Sequence, residues 1–304
     1  MAVNPLLRPG LLATITAGVL WGTTGTTQAL APAAAEPQSV GALRMVLGTA
    51  TMAAIVLIGG ESRAIPRELP ALRRSAGWLV LGGLAVAAYQ LCFFVAVART
   101  GVAVGTMVAL GSAPVLTGLF GWALGERPTR SWIVATAVAI VGIVLIVLGS
   151  GRGASVDVGG VLLALGAAAG YALYTVLGRR LLVAGVHGQL MMTLFFAVAT
   201  VVLLPRLVGA DLGWLVSPRG AISMLWLGVA ATGVAYLLFQ RGLAHLPAGL
   251  ASTLSLAEPF TATLLGVLLL HEHLGLLSAV GVLVVLVGLV LAGAGARHDD
   301  PPPG

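Results

Sequence analysis

Ten strongly apolar stretches, each about as long as a bilayer is thick, fill the chain from Leu11 to Leu291. A helix rises about 1.5 Å per residue, so roughly 20 apolar residues cross the ~30 Å hydrocarbon core. The spans read as 11–31, 40–60, 76–98, 102–124, 130–149, 158–179, 187–206, 219–241, 247–270 and 274–295. Their connections are too short for a separate soluble domain. The chain is therefore expected to be an all-α polytopic membrane protein whose function lies within or across the bilayer.

Composition agrees. Only 9% of residues are charged, against about a quarter in a soluble domain. The 42 glycines suit membrane helices, which pack through small residues. Gly18–Gly22, Gly101–Gly105, Gly121–Gly125 and Gly166–Gly170 have the GxxxG spacing. Close packing within one subunit explains them more simply than a dimer interface.

The net charge of +6 is an orientation signal. All 16 basic residues are Arg, and nearly all stand at span ends. With the N-terminus inside, the cytoplasm receives eleven of them: Arg8, Arg63, Arg67, Arg73, Arg74, Arg127, Arg130, Arg179, Arg180, Arg241 and Arg297. The outside receives Arg99, Arg152, Arg206 and Arg219, while Arg44 lies within a span. That bias places both termini in the cytoplasm of an integral cell-membrane protein. No basic stripe interleaved with aromatics offers a nucleic-acid surface. The single cysteine, Cys92, has no disulfide partner in the chain. The first span contains Trp21 and several threonines and is followed by nine more, so it reads as an uncleaved helix rather than a leader. Residues 297–304, proline-rich and polar, read as a disordered tail.

The second half echoes the first. Gly101-Val102-Ala103-Val104 running to Pro114 and Gly121 matches Leu246-Pro247-Ala248-Gly249 running to Pro259 and Gly266. Glu126 and Glu272 follow, with one residue of slippage. Gly10-Leu11-Leu12 to Trp21-Gly22 matches Gly160-Val161-Leu162 to Tyr171-Ala172. Each half, 1–152 and 153–296, thus holds five spans. Five is odd, so the second half is expected upside down, as two inverted five-helix repeats. In such carriers the solute binds near the midplane at the repeat interface.

These features in this order resemble the ten-helix EamA form of the drug/metabolite transporter superfamily. The matching residues are Ala17 to Gly22, Ala42 to Met45, Leu246 to Pro259, and His271-Glu272, with the first-half echo from Thr100 to Glu126. The resemblance covers about residues 10–295. It implies a secondary carrier, often an exporter of amino acids or other small metabolites. One departure stands out: span four reads Ser112-Ala113-Pro114 where span nine reads Ala257-Glu258-Pro259.

Glu258 is the one carboxylate deep inside a span, where insertion of a charge costs roughly 2.5–3.5 kcal/mol. Two readings stand: a proton or substrate-amine site, or a structural carboxyl bonded to backbone freed by Pro259. Arg44, the one intraspan base, either contacts a substrate carboxylate, partners Glu258, or snorkels to the headgroups. Trp21 and Thr24, Tyr89 and Phe93, Tyr171 and Tyr174, and Tyr236 and Gln240 put aromatic and amide groups on helices one, three, six and eight. Together with Ser255 they would suit a pocket for a planar or amphipathic solute; ordinary packing is the alternative for each taken singly. Pro114 and Pro259 are expected to break two related helices and serve as hinges.

His271-Glu272-His273 has the wrong spacing for a zinc helix. No metal and no cofactor is expected, and no phosphate loop with Lys supports ATP drive. A lipid-modifying membrane enzyme would need a polar constellation near one face, and none is found. A scaffold subunit has no need of pseudo-symmetry. The expectation is thus a secondary transporter working by alternating access, with a small-molecule substrate, the bilayer and a candidate coupling proton as partners. A neutral or zwitterionic solute fits one buried acid and one buried base; aromatic amino acids, exported, head the expectation.

Overall fold

The computed structural model describes residues 7–59, 65–149, 157–271 and 275–295, and all regular structure within them is helical. Glu272, His273, Arg152 and the tail 297–304, on which expectations rested, lie outside the described residues. The helices are α1 (Leu7–Leu30), α2 (Pro37–Ile58), α3 (Ile65–Arg74), α4 (Ala76–Ala123), α5 (Arg130–Gly149), α6 (Val158–Val183) and α7 (Gly188–Leu203). There follow α8 (Pro218–Leu225), a π-helical stretch (Trp226–Val234), α9 (Ala235–His245), α10 (Ala248–Leu254), α11 (Ala257–Leu270) and α12 (Leu276–Gly295). Eight helical segments among the described residues are long and apolar enough to cross a membrane, with Val108–Ala123 a shorter apolar one. The 24-residue α1 also has the length, but six threonines and Gln28 lower its hydropathy.

Four departures from the expected spans have physical causes. Spans three and four form one helical run of 48 residues. On a straight axis Val97 and Gly105 would be about 12 Å apart, yet a Cβ on Gly105 would meet the Cα of Val97 at 3.1 Å. The run therefore folds back on itself between two arms, Ala76–Thr100 and Val108–Ala123. Ala96 and Ala109, one from each arm, accordingly cluster with the same two α6 residues, Ala164 and Ala167. Second, α3 fills part of the connection after span two. Four of its ten residues are charged, so it is too polar to be a spanning helix. Third, helical structure continues through Pro114, so this proline does not divide the arm into two helices. Fourth, span nine is two short helices, and its break precedes Pro259 rather than falling on it.

That break follows from proline chemistry. Pro259 lacks the N–H that would bond the carbonyl of Ser255. Glu258 N–H takes that carbonyl instead, at 2.9 Å. The turn tightens at Ser255-Leu256, and Pro259 then sits in the first turn of α11, where a missing N–H is tolerated.

Glycines set the helix contacts. A Cβ on Gly22 would meet Glu258 O and Thr261 Cβ, each at 2.6 Å. On Gly170 it would meet Ala85 O at 2.8 Å, and on Gly288 the amide of Ala139 at 2.7 Å. The Gly18–Gly22 and Gly166–Gly170 pairs thus pack within the subunit, as expected. Gly125 does not: it has φ +101° and nothing near its missing Cβ, and it serves a turn.

The pairings exchange between the halves. α1 lies against α9 and α11, as α6 lies against both arms of α4; α2 lies against the π-helical stretch, as α7 lies against α4. α5 and α12 pair with each other. These two are the most apolar, with mean hydropathy 2.8, and the least buried, so they form the lipid-facing edge. α6 and the Pro218–His245 segment are the most buried and form the centre.

Candidate functional site

The centre is a continuous aromatic cluster. Trp21 of α1 lies 4.7 Å from Tyr236 and 5.3 Å from Phe239 of α9, centroid to centroid. Tyr171 of α6 meets Tyr174 at 5.1 Å, Tyr89 of α4 at 6.0 Å and Phe239 at 6.2 Å. Tyr89 stacks on Phe93 at 5.9 Å. Most contacts are tilted or edge-on, as ring quadrupoles prefer. The glycine contacts explain the convergence: Gly18 lets α1 close on Ser255 at the α10–α11 break, Gly22 lets it close on α11, and Gly170 lets α6 close on Tyr89.

Polar groups border the rings. The hydroxyls of Tyr171 and Ser255 are 3.0 Å apart, and Ser255 Oγ donates to Ser252 O at 2.7 Å. A hydroxyl has one proton, so Tyr171 is the donor to Ser255. Glu258 is partly buried and follows the break. Arg44 of α2 is buried at 8% exposure and lies in the neighbourhood of Tyr89, Tyr236 and Glu258. No ion pair joins Arg44 to Glu258. Three donors here have no hydrogen-bond partner among the described residues: Trp21 Nε1, Arg44 Nε and Tyr174 Oη. A buried unmade hydrogen bond costs about 1–3 kcal/mol, more for a charged group.

The structure therefore brings together Trp21, Tyr89, Phe93, Tyr171, Tyr174, Tyr236, Ser255, Glu258 and Arg44. It does not bring Gln240 there: a Cβ on Gly188, at the start of α7, would fall on the Gln240 amide. Thr24 joins none of the ring contacts. Its neighbours Thr23, Thr26 and Thr27 instead line a groove of about 780 Å³ with Arg219 and Trp226, and Trp226 Nε1 donates to Thr23 Oγ1 at 2.9 Å. Two rings were not anticipated. Phe239 touches Trp21, Tyr171 and Tyr174, and its i+3 spacing from Tyr236 was the available signal. Phe196 of α7 lies 4.4 Å from Tyr236; in sequence it is one of two adjacent phenylalanines in an apolar helix.

The rings are closed over: Trp21, Tyr171, Tyr174, Tyr236 and Phe239 are all buried. Cavities flank them along α1. The groove lies beyond Trp21 at one end. At the other, near Gly10 and His245, a cavity of about 260 Å³ is lined by Glu126, Trp132, Arg179 and Leu250.

Two stretches of the chain, residues 8–148 and 158–294, each match the EamA-like transporter family. The chain belongs to this family. The two matches make the halves one repeated EamA unit. An uncharacterized transporter of Bacillus subtilis, YwfM, is 40% identical over 93% of both chains. An uncharacterized inner membrane transporter of Salmonella typhimurium, YicL, is 23% identical over 96% of this chain and 97% of its own. A solved crystal structure covers 96% of this chain with a TM-score of 0.80 at 24% identity, a likeness of fold. This EamA protein is an integral membrane protein of a transporter family, and the aromatic centre lies where its two repeats meet.

Proposed function

We propose that the protein is a secondary transporter that exports small zwitterionic metabolites, aromatic amino acids foremost, by alternating access. Ten spanning helices in two inverted five-helix repeats, with both termini cytoplasmic, are the architecture of this reading. The exchanged helix pairings and the Arg bias support it. α1 and the second arm of α4, Val108–Ala123, supply the spans that length and hydropathy alone leave marginal.

One observation carries the substrate class. Three buried donors, Trp21 Nε1, Arg44 Nε and Tyr174 Oη, lack acceptors among the described residues in and beside the aromatic cluster, and a carboxylate, Glu258, stands on the same core. A solute carboxylate would satisfy the donors, its ammonium would face Glu258, and its ring would stack among Trp21, Tyr89 and Tyr171. Each ring contact is worth about 0.5–1.5 kcal/mol. A strongly anionic solute would bring more charge than Arg44 alone balances. Glu258 is also the residue that would carry a coupling proton in exchange for the solute.

Purified protein in vesicles, given labelled L-phenylalanine with and without a pH gradient, tests the reading. Saturable flux that the gradient accelerates, and that Glu258→Gln abolishes at normal expression, is the expected result. Flux of cationic drugs alone, or of no solute tried, overturns the substrate class.

A further inference from the structure

The proline–glycine–glutamate motif that closes α4 ends on a residue outside the aromatic centre. Gly125, with φ +101°, turns the chain so that Glu126 N–H bonds Gly121 O at 2.9 Å. The Glu126 carboxylate then folds back over Gly121, where a Cβ would sit 3.1 Å from Oε2. A side chain at 121 would crowd the carboxylate, so the glycine eases this approach.

From there Glu126 reaches the other repeat. Ala248 N–H, the first of α10, donates to Glu126 Oε2 at 2.9 Å. Glu126 Oε1 lies 3.8 Å from Arg179 Nε. Arg179 Nη1 in turn donates to Leu243 O at 3.2 Å and Ala244 O at 2.9 Å, in the last turn of α9. One acid and one base thus clamp both sides of the α9–α10 corner. The seven residues of α10 separate the 260 Å³ cavity, where Gly249 and Leu250 face it, from Ser255 and Tyr171 of the aromatic centre.

We propose that Glu126 and Arg179 are the catch of a gate: they hold α10 in place, and its release opens a path between that cavity and the aromatic centre. Glu126 is a positioning residue, not a ligand of the solute. The assignment rests on the transporter reading, but its test needs no solute.

Acidity strengthens the catch. Burial raises the Glu126 carboxyl above the ordinary carboxylate range, partly offset by Ala248 N–H and by Arg179. The carboxyl binds a proton more tightly when clamped than when released into water, so a falling pH favours the clamped form. The other titratable and charged groups lining its cavity are Arg127 from its own loop, Arg179 from α6 and His245 from α9; the α9–α10 corner contributes Leu246 and Pro247, α10 contributes Gly249 and Leu250, and α12 contributes Ala292, all uncharged.

Hydrogen exchange of the protein in nanodiscs tests this. In Glu126→Ala, amides of residues 243–254 should exchange about tenfold faster, as loss of a charge-assisted bond implies, while α5 and α12 stay unchanged. Glu126→Gln keeps an acceptor for Ala248 and should change far less. In the parent, protection of 243–254, corrected for intrinsic rates, should rise as pH falls, and this slope should vanish in Glu126→Gln. A cysteine at Ser252, which is fully buried, should in a Cys92→Ala background react faster with a water-soluble thiol reagent once Glu126 is Ala. Unchanged exchange, equal acceleration in α5 and α12, a pH slope that survives in Glu126→Gln, or faster exchange with no faster thiol reaction each overturns the proposal. Loss of L-phenylalanine flux with these results intact would instead overturn only the substrate reading.

Discussion

Tyr171 donates its hydroxyl proton to Ser255 across 3.0 Å, tying α6 of the second repeat to the break between α10 and α11. Tyr171→Phe keeps the ring contacts and removes one neutral hydrogen bond, worth about 1 kcal/mol. Flux should fall roughly fivefold, and Ser255→Ala should do the same. The double variant should lose little more than either single one, because both remove one interaction. Additive losses would mean that the two residues act separately.

Two glycines one turn apart on α1 should respond in opposite ways to alanine. At Gly22 the new methyl would meet Glu258 O and Thr261 Cβ at 2.6 Å, backbone and a β-branched stem that do not swing aside. Overpacking of this kind destabilises by about 1–3 kcal/mol, so thermal unfolding in detergent should come at a visibly lower temperature. Gly25 has nothing within 4 Å. Gly25→Ala should be neutral or slightly stabilising, since alanine is the better helix former by up to ~1 kcal/mol. Equal shifts for both would remove the close approach of α1 to α11.

Hydropathy and length made the helical class and nearly every span legible, because lipid imposes both on a sequence. The threonines of α1 and the two-part character of span nine were not legible as structure. Hydropathy cannot register Gly105 folding against Val97, nor the turn at Ser255-Leu256 that Pro259 induces. The ring cluster was legible where a residue stood out against aliphatic neighbours, as Trp21, Tyr171 and Tyr236 do. Phe196 did not stand out, and Gln240 did so for a different reason, its contact with Gly188. Glu126 was legible as a repeat mark, but its partners Ala248 and Arg179 lie far along the chain, and spacing alone cannot find them.

The proposed topology puts Ala184, between α6 and α7, in the cytoplasm and Val216, before α8, outside. Both are exposed. Single cysteines there, in a Cys92→Ala background, should differ in intact cells. A membrane-impermeant thiol reagent should label the cysteine at 216 directly, and the one at 184 only after permeabilisation. Labelling of both without permeabilisation would end the argument from an odd number of spans per repeat.

Arg44 offers the sharpest test of substrate class. Its Nε is buried without an acceptor, and on the proposed reading a solute carboxylate supplies one. L-Phenylalanine and its amide share a ring and an ammonium but differ in that carboxylate. The parent should prefer the acid over the amide by tenfold or more, the worth of a hydrogen bond to a charged group. In Arg44→Gln the neutral amide side chain keeps hydrogen-bonding capacity and loses the charge, so the preference should shrink toward unity, mainly by weaker binding of the acid. Competition against labelled L-phenylalanine in vesicles measures both affinities. An undiminished preference in Arg44→Gln would place the carboxylate elsewhere and leave Arg44 a structural charge.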